Sequence, residues 1–356
     1  MRVMVAMSGG VDSSVAALLS KQAGHECLGV TMKLYAAPTD GGEPGRGCCS
    51  LDDVEDARRV ATALGIPYYV FNFTADFDTQ VVARFIDAYE RGLTPNPCID
   101  CNRYLKFERL HERAKVLGCD RLVTGHYARV VREGERYLLK KALDPTKDQS
   151  YVLYTMTREQ LAHTAFPLGE LTKRQVRALA QEAGLATAAK RDSQDICFVP
   201  GGDYAAFIAE HTGKSYPPGQ FVDTAGRVLG EHRGLIRYTI GQRRGLGLSL
   251  PRPLYVCRKN VADNTVVLCT DEELYRRECL VRQLNWIAFD APPARLRAKV
   301  KTRYSQTEAW AEITPCPDPA TEGVRVVFEE PVRAPTPGQA AVFYEGDTVL
   351  GGGVIW

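Results

Sequence analysis

The chain is 356 residues long, 45% hydrophobic and 25% charged, with 45 Lys and Arg set against 43 Asp and Glu. That length allows about two to three domains with a sizeable core, and the near-neutral balance leaves room only for a local basic footprint. No apolar run approaches the roughly 18–20 residues of a membrane span, no signal peptide is visible, and eleven dispersed cysteines do not form a secreted disulfide framework, so a cytoplasmic protein is expected.

The chain opens with an apolar run, Val3 to Met7, leading straight into Ser8-Gly9-Gly10-Val11-Asp12-Ser13-Ser14. An alanine-rich amphipathic stretch follows, Val15 to Gln22, and Gly24 is placed to close it as a helix. Strand, glycine turn and helix together aim backbone N–H groups and a positive helix end at an anion. The glycines let the backbone come close and the serines add hydroxyls, while Asp12 beside a phosphate implies an intervening Mg²⁺. The lysine of a Walker loop, GxxxxGK[ST], is absent. A capped turn is the plain alternative. The whole block resembles instead the PP-loop of the ATP pyrophosphatase superfamily, whose members adenylate a substrate.

Next come a β-rich run from Cys27 to Leu34, a Gly/Pro-rich loop from Ala36 to Gly47, and a capping box at Ser50 to Asp53 opening a helix that ends at Gly65. Tyr68 to Phe73 reads as a strand, Asp76 to Tyr89 as a helix, Thr94 to Cys101 as a proline-punctuated loop and Leu105 to Leu117 as a helix. Arg121 to Gly125 is a short strand, a hairpin follows around Arg132-Glu133-Gly134-Glu135, and Lys173 to Glu182 is helical. This alternation predicts an α/β domain with a doubly wound parallel sheet. From about Gly201 turn residues recur roughly every 8–12 positions. Runs such as Thr265 to Leu268, Leu296 to Val300 and Ala340 to Tyr344 lie between them, which predicts a small, mostly-β central domain and then a C-terminal barrel or sandwich. The expected domains are 1–205, 206–277 and 278–356.

Asn96-Pro97-Cys98-Ile99-Asp100-Cys101-Asn102 sets two thiols three residues apart at a helix start, where the helix end favours thiolate. Cys197 lies in a polar loop, Asp192-Ser193-Gln194-Asp195-Ile196-Cys197-Phe198. A structural zinc would need a second ligand pair, which the sequence lacks. An incidental pair is the plain reading. In the third reading one thiol carries a sulfane sulfur as a persulfide and another releases it by exchange. Cys27, Cys119, Cys257, Cys269, Cys279 and Cys316 read as small apolar residues.

Taken in order, CCSLDD, GLTPNPCIDCNRYLKF, TGHYAR, DPTKDQSYVLY, FPLGELTKRQVR, DSQDICF, YTIGQRRGLG, KTRYSQ and PGQAAVFYEGDTVLGGGVI resemble the bacterial tRNA-specific 2-thiouridylase family over essentially the whole chain. The resemblance implies an ATP site at Ala6, Met7, Ser8, Gly9, Gly10, Val11, Asp12 and Ser13, with Met32 and Gly125. It also implies that Cys101 is the nucleophilic cysteine, that Cys197 bears the persulfide, and that Asn96, Pro97 and Cys98 face the target uracil. Lys147, Asp148, Gln149, His126, Arg303, Tyr304 and Gln339 match tRNA-contacting positions. Many family members carry aspartate where this chain has Cys98. A thiol cannot inherit an acid/base role, which leaves Asp100 as a candidate. The same departure opens an alternative, a [4Fe–4S] cluster held by Cys98, Cys101 and Cys197. Cys48 and Cys49 match the family's CCS without a role that the residues themselves reveal.

The implied reaction is ATP-dependent 2-thiolation of the wobble uridine of tRNA, through adenylation of the uracil C2 oxygen and sulfur transfer from Cys197. The implied partners are a tRNA anticodon stem-loop, whose target base is flipped out, and a persulfide donor, either a cysteine desulfurase or a sulfur-relay protein. Closure of Ala189 to Gly201 would bring the two cysteines together. A basic stretch, Arg227, His232, Arg233, Arg237, Arg243, Arg244, Arg252, Arg258 and Lys259, is expected to meet phosphates. Two other classes stay open. A PP-loop ligase acting on a small molecule would not need the cysteines, and a non-catalytic RNA-binding protein would not need SGGVDSS.

Overall fold

A computed structural model describes residues 1–35, 51–190, 196–316 and 322–356. The expectations placed on Ala36 to Gly47, on Cys48, Cys49 and Ser50, and on Asp192 to Asp195 lie outside the described residues.

The first sheet is parallel, in the order β3-β2-β1-β4-β7. Its strands are β1 (Arg2–Ala6), β2 (Glu26–Lys33), β3 (Tyr68–Asn72), β4 (Arg121–Val123) and β7 (Thr164–Ala165). β1 lies at the centre, and the alternation of its side chains divides it between two cores. Val3 and Val5 pack with Val15 of α1 (Val11–Gln22) and with Ala57 and Val60 of α2 (Leu51–Ala63). Met4 faces the other way, into a core that holds Phe77, Phe85, Leu105 and Phe107. Burial on both faces is what a continuous apolar run in a covered parallel sheet requires.

Two interrupted helices build that second face. α3 runs through Thr74–Phe77, Asp78–Val82 and Ala83–Glu90, and α4 through Pro97–Asp100, Cys101–Arg109 and Leu110–Val116. The middle segment of each is π-helical, a wider turn that an apolar pattern of period 3.6 does not announce. α4 also begins earlier than the predicted Leu105. The Asn96 side chain caps it by accepting from the Cys98 N–H at 3.1 Å, and Pro97 occupies its first turn. α5 (Lys173–Glu182) has the predicted bounds, fixed at its start by a capping box between Thr172 and Gln175.

Downstream, β8 (Gly219–Asp223), β9 (Val228–His232), β10 (Tyr255–Asn260) and β11 (Thr265–Cys269) form a sheet in the order β10-β11-β8-β9. β12 (Tyr275–Trp286), β13 (Leu296–Lys301), β14 (Ala309–Pro315), β15 (Val324–Arg333), β16 (Ala340–Glu345) and β17 (Thr348–Ile355) follow. They run antiparallel in the order β12-β15-β14-β13-β16-β17, and pairing of β12 with β17 closes them into a barrel rather than a sandwich. Val300, Ile313, Val326, Phe328 and Phe343 lie in its core. A hairpin from the first half of the chain, β5 (Ala128–Glu133) and β6 (Arg136–Lys141), extends the barrel wall where Lys140 pairs with Thr348. Among the described residues no helix is long and apolar enough to cross a membrane.

Candidate active site

The turn after β1 lies at the C-terminal edge of the parallel sheet, where open α/β folds bind ligands. Gly10 caps α1, and the Ser13 and Ser14 hydroxyls donate to its carbonyl oxygen at 3.1 and 2.8 Å. Ser13 Oγ also accepts from the Ser8 N–H at 3.1 Å. Gly9 adopts φ +72°, and a Cβ there would fall 2.2 Å from the carbonyl oxygen of Asp53 in α2. A Cβ on Gly125, just beyond β4, would come within 2.8 Å of the Asp12 and Ser13 backbone. The structure thus gathers Ala6 to Ser13 and Gly125 around one helix N-terminus. Met32 is buried near the end of the adjoining strand β2.

Asp12, expected to be a metal ligand, is ion-paired in this structure. Both its oxygens accept from Lys173 Nζ, at 2.7 and 2.8 Å, and Oδ1 also accepts from the Tyr127 hydroxyl at 2.8 Å. A partly buried carboxylate is costly unless paired, and the more deeply buried Lys173 at the start of α5 supplies the cation. Lys190 Nζ donates to the Gly9 carbonyl oxygen at 3.0 Å and to Asp53 and Asp56 at 2.6 Å each. It ties the turn and α2 to the segment leading toward Cys197. Sequence reasoning missed all three of Tyr127, Lys173 and Lys190. The first two stand inside blocks already singled out, TGHYAR and FPLGELTKRQVR, so a signal was present. Lys190 had none.

Cys98 is exposed in the first turn of α4, Cys101 is half-buried at the start of its π-helical segment, and Cys197 is half-buried on a separate loop. Cys101 and Cys197 pack against the same core. The Cys197 side is anchored by Phe198, whose ring lies 5.3–5.5 Å from those of Phe77, Phe85 and Phe207. Between the two α4 thiols, burial pushes the Asp100 carboxyl up, against the opposing charges of Arg84, 3.7 Å away, and Arg103. Among the described residues no group of three or more His, Cys, Asp or Glu side chains could hold a metal ion. Cys98, Cys101 and Cys197 are therefore not gathered as a ligand set in this structure.

The residues matched to tRNA contacts divide in two. Tyr304 is 43% exposed on the barrel. Burial, with Asp148 and Cys98 nearby, pushes its phenol up, which places it on the Cys98 side. Gln339 Nε2 donates to the Thr94 carbonyl oxygen at 2.7 Å and so holds the loop before Asn96 and Pro97. The others are half-buried or bonded within the fold. Asp148 accepts from the Ala142 and Ser150 N–H groups at 3.0 and 3.2 Å, and Lys147 is half-buried. Gln149 Oε1 accepts from the Tyr127 N–H at 2.9 Å, so one hydrogen-bonded path joins Gln149, Tyr127, Asp12 and Lys173. Arg303 Nη2 donates to the Ile240 and Ala334 carbonyl oxygens at 2.9 and 3.2 Å, at the joint of central sheet and barrel. His126 is only 8% exposed, with its ring centroid 5.8 Å from those of Phe107 and Phe166 and its Nδ1 2.7 Å from Thr124 Oγ1. Burial, helped by Lys106, holds its pKa well below the usual histidine value, so it is a neutral core residue and not an open contact.

The basic stretch is corrected in the same way. Lys259 packs against the Tyr89 ring at 5.5 Å, and burial pushes its pKa down to about 8. His232 is 1% exposed, and Arg227 pairs with Asp223 at 2.7 Å. What remains exposed is Arg227, despite its pairing with Asp223, and Arg233, Arg237, Arg243, Arg244, Arg252 and Arg258.

Residues 1–201 match the model of the tRNA methyl transferase HUP domain, residues 205–270 the tRNA methyl transferase PRC-barrel domain and residues 276–355 the aminomethyltransferase beta-barrel domain. The chain is 51% identical to the tRNA-specific 2-thiouridylase MnmA of Acetivibrio thermocellus, with 99% of each chain covered. It is 47% identical to that of Clostridioides difficile, over 99% of this chain and 98% of the relative. A solved 4-thiouridine synthetase–RNA complex with bound ATP aligns at 17% identity and a TM-score of 0.39, over 60% of this chain and 50% of that one. Identity near one half, sustained from the glycine turn through the barrel, places the chain: it belongs to the tRNA-specific 2-thiouridylase family.

Proposed function

We propose that this protein is an ATP-dependent sulfurtransferase that converts the wobble uridine of tRNA to 2-thiouridine. The observation that carries the reading is full-length identity to 2-thiouridylases in a chain whose glycine turn, Gly125 and paired helix-start thiols occupy one domain. The α1 N-terminus with Ala6 to Ser13 cradles the phosphates of ATP, and Met32 and Gly125 line the nucleotide. Asp12, released by Lys173, would hold Mg²⁺ through hard carboxylate oxygens, and the ion would offset phosphate charge.

The uracil C2 oxygen attacks the α-phosphate, pyrophosphate leaves, and C2 now bears AMP as a good leaving group. The terminal sulfur of a Cys197 persulfide attacks C2 and expels AMP. The Cys101 thiolate then attacks the Cys197 sulfur, which frees the 2-thiouridine and leaves a Cys101–Cys197 disulfide for an external thiol to reduce. Asn96, Pro97 and Cys98 face the uracil, Tyr304 and Gln339 bound it from the barrel, and Asp100, with its raised pKa, is the acid/base candidate. The partners are a tRNA anticodon stem-loop and a persulfide donor, a cysteine desulfurase or a sulfur-relay protein, in the cytoplasm.

The test is ATP-dependent thiolation of an anticodon-bearing transcript by iron-free protein, supplied with Mg²⁺ and loaded from a persulfide donor. Wild type should form 2-thiouridine, while Cys197→Ser and Cys101→Ser should release pyrophosphate with tRNA and form none. Thiolation surviving in Cys197→Ser would sink the sulfur route. Activity returning only after iron–sulfur reconstitution would replace it with a cluster mechanism.

A further inference from the structure

Cys257 and Cys269 were read from sequence as unrelated small apolar residues, and the structure puts them together. β10 and β11 are antiparallel neighbours in which Val256 pairs with Leu268 and Arg258 with Val267, so Cys257 is the extra residue of a β-bulge. Cys257 packs against the cluster that contains Cys269, Leu274 and Ala334, and the two thiols lie within hydrogen-bonding reach of each other. Cys269 is 2% exposed, whereas Cys257 is accessible at the cluster's edge.

We infer that Cys257 and Cys269 form a redox-active dithiol, a modification site apart from the sulfur-transfer cysteines, whose co-reactant is a low-molecular-weight disulfide. The division of labour follows from the surroundings. The hydrogen bond from Cys269 holds the Cys257 thiol below its ordinary pKa, and Arg276 and Arg258 act in the same direction against Glu273. The same contact, with burial, pushes the Cys269 thiol up. The accessible sulfur is therefore the nucleophile and the enclosed one the resolving thiol.

The exchange balances. The Cys257 thiolate attacks one sulfur of R–S–S–R, forms a mixed disulfide and expels RS⁻. The Cys269 thiol gives up its proton to the departing thiolate, attacks the Cys257 sulfur and expels a second RS⁻, which takes up a solvent proton. The protein loses two electrons, and the small disulfide gains them as two thiols. Cys269 pairs with Tyr255, so Cys257 is its diagonal neighbour across the two strands, and the contact between the two thiols is what brings the sulfurs within range of a bond. The cluster also contains Ile240, and the carbonyl oxygens of Ile240 and Ala334 are the ones that hold Arg303. The bond would therefore form beneath the joint between central sheet and barrel.

The full chain is equilibrated with mixtures of oxidised and reduced glutathione, quenched with acid and a maleimide, and mapped by mass spectrometry of proteolytic peptides. The expected result is a Cys257–Cys269 linked pair, two hydrogens lighter, that fills in a single transition. Cys279, whose thiol burial pushes up to about 12, should stay maleimide-labelled throughout. In Cys269→Ser, Cys257 should carry a glutathione adduct, and in Cys257→Ser, Cys269 should carry none. Separately labelled Cys257 and Cys269 in wild type at the most oxidising ratio would overturn the inference. So would a Cys269→Ser protein whose Cys257 acquires no adduct. The wild-type map decides the matter even where a serine variant folds poorly.

Discussion

Replacing Gly9 with alanine, beside the same change at Gly24, separates two costs that a glycine turn usually hides. Both residues hold positive φ, +72° and +76°, so alanine at either bears the left-handed penalty of about 1–2 kcal/mol. At Gly24 a Cβ meets nothing within 4 Å, and the penalty is the whole effect. At Gly9 the Cβ would lie 2.2 Å from the Asp53 carbonyl oxygen and 2.8 Å from its Cα. α2 must retreat, an overpacking cost of about 1–3 kcal/mol. Gly9→Ala should therefore destabilise the first domain by about 2–5 kcal/mol, and by at least about 1 kcal/mol more than Gly24→Ala. Trp286, Trp310 and Trp356 all belong to the barrel or the residue after it, so tryptophan fluorescence would overlook the change. Amide hydrogen exchange in β1 and α1 reads it directly, with a difference of about 1 kcal/mol appearing as roughly a fivefold loss of protection. ATP affinity should fall in Gly9→Ala and stay level in Gly24→Ala. Equal losses of protection in the two variants would refute the close approach of the turn to α2.

Lys173→Met should leave Asp12 half-buried beside Tyr127 alone, costing about 1–3 kcal/mol. A double-mutant cycle with Asp12→Asn, read by chemical denaturation, should return a coupling of at least about 0.5 kcal/mol. Lys259 gives a pH signature. Below pH 8 its ammonium is charged in folded and unfolded chains and the burial penalty is full. Between about 8 and 10.4 only the unfolded chain keeps the proton, so stability rises with pH across that window. Lys259→Met should abolish the rise, which denaturant midpoints from pH 7 to 10 would reveal. Gln339→Ala frees the Thr94 carbonyl oxygen. Thiolation should slow severalfold, consistent with a lost bond worth about 0.5–1.5 kcal/mol, while ATP affinity stays unchanged.

The parallel sheet, the glycine turn and α5 were legible because each is a local matter. An apolar run of strand length, two glycines and Thr172 with Gln175 three positions on carry their own geometry. The π-helical segments were not legible, since Cys101–Arg109 keeps a helical apolar pattern whatever its pitch. Neither was the partner of Asp12, because Lys173 lies 161 residues away and only the fold brings it near. The basic stretch misled for a related reason. Charge along a sequence does not say which side of a strand faces inward, and Lys259 and His232 face inward. Cys257 and Cys269 looked inert because strand pairing, which their spacing does not announce, brings them side by side.

The β5–β6 hairpin has a consequence for how the molecule is made. It leaves the ribosome with the first half of the chain, yet the strand that covers the free edge of β6 is β17, near the far end of the sequence. At about 5–20 residues per second, roughly 200 intervening residues take some 10–40 s to synthesise. For that interval a nascent first domain displays an uncovered strand edge, the kind of template on which chains aggregate. Lys140 and Lys141 stand at the end of that strand, and their charge is a deterrent against a second chain docking before the barrel arrives.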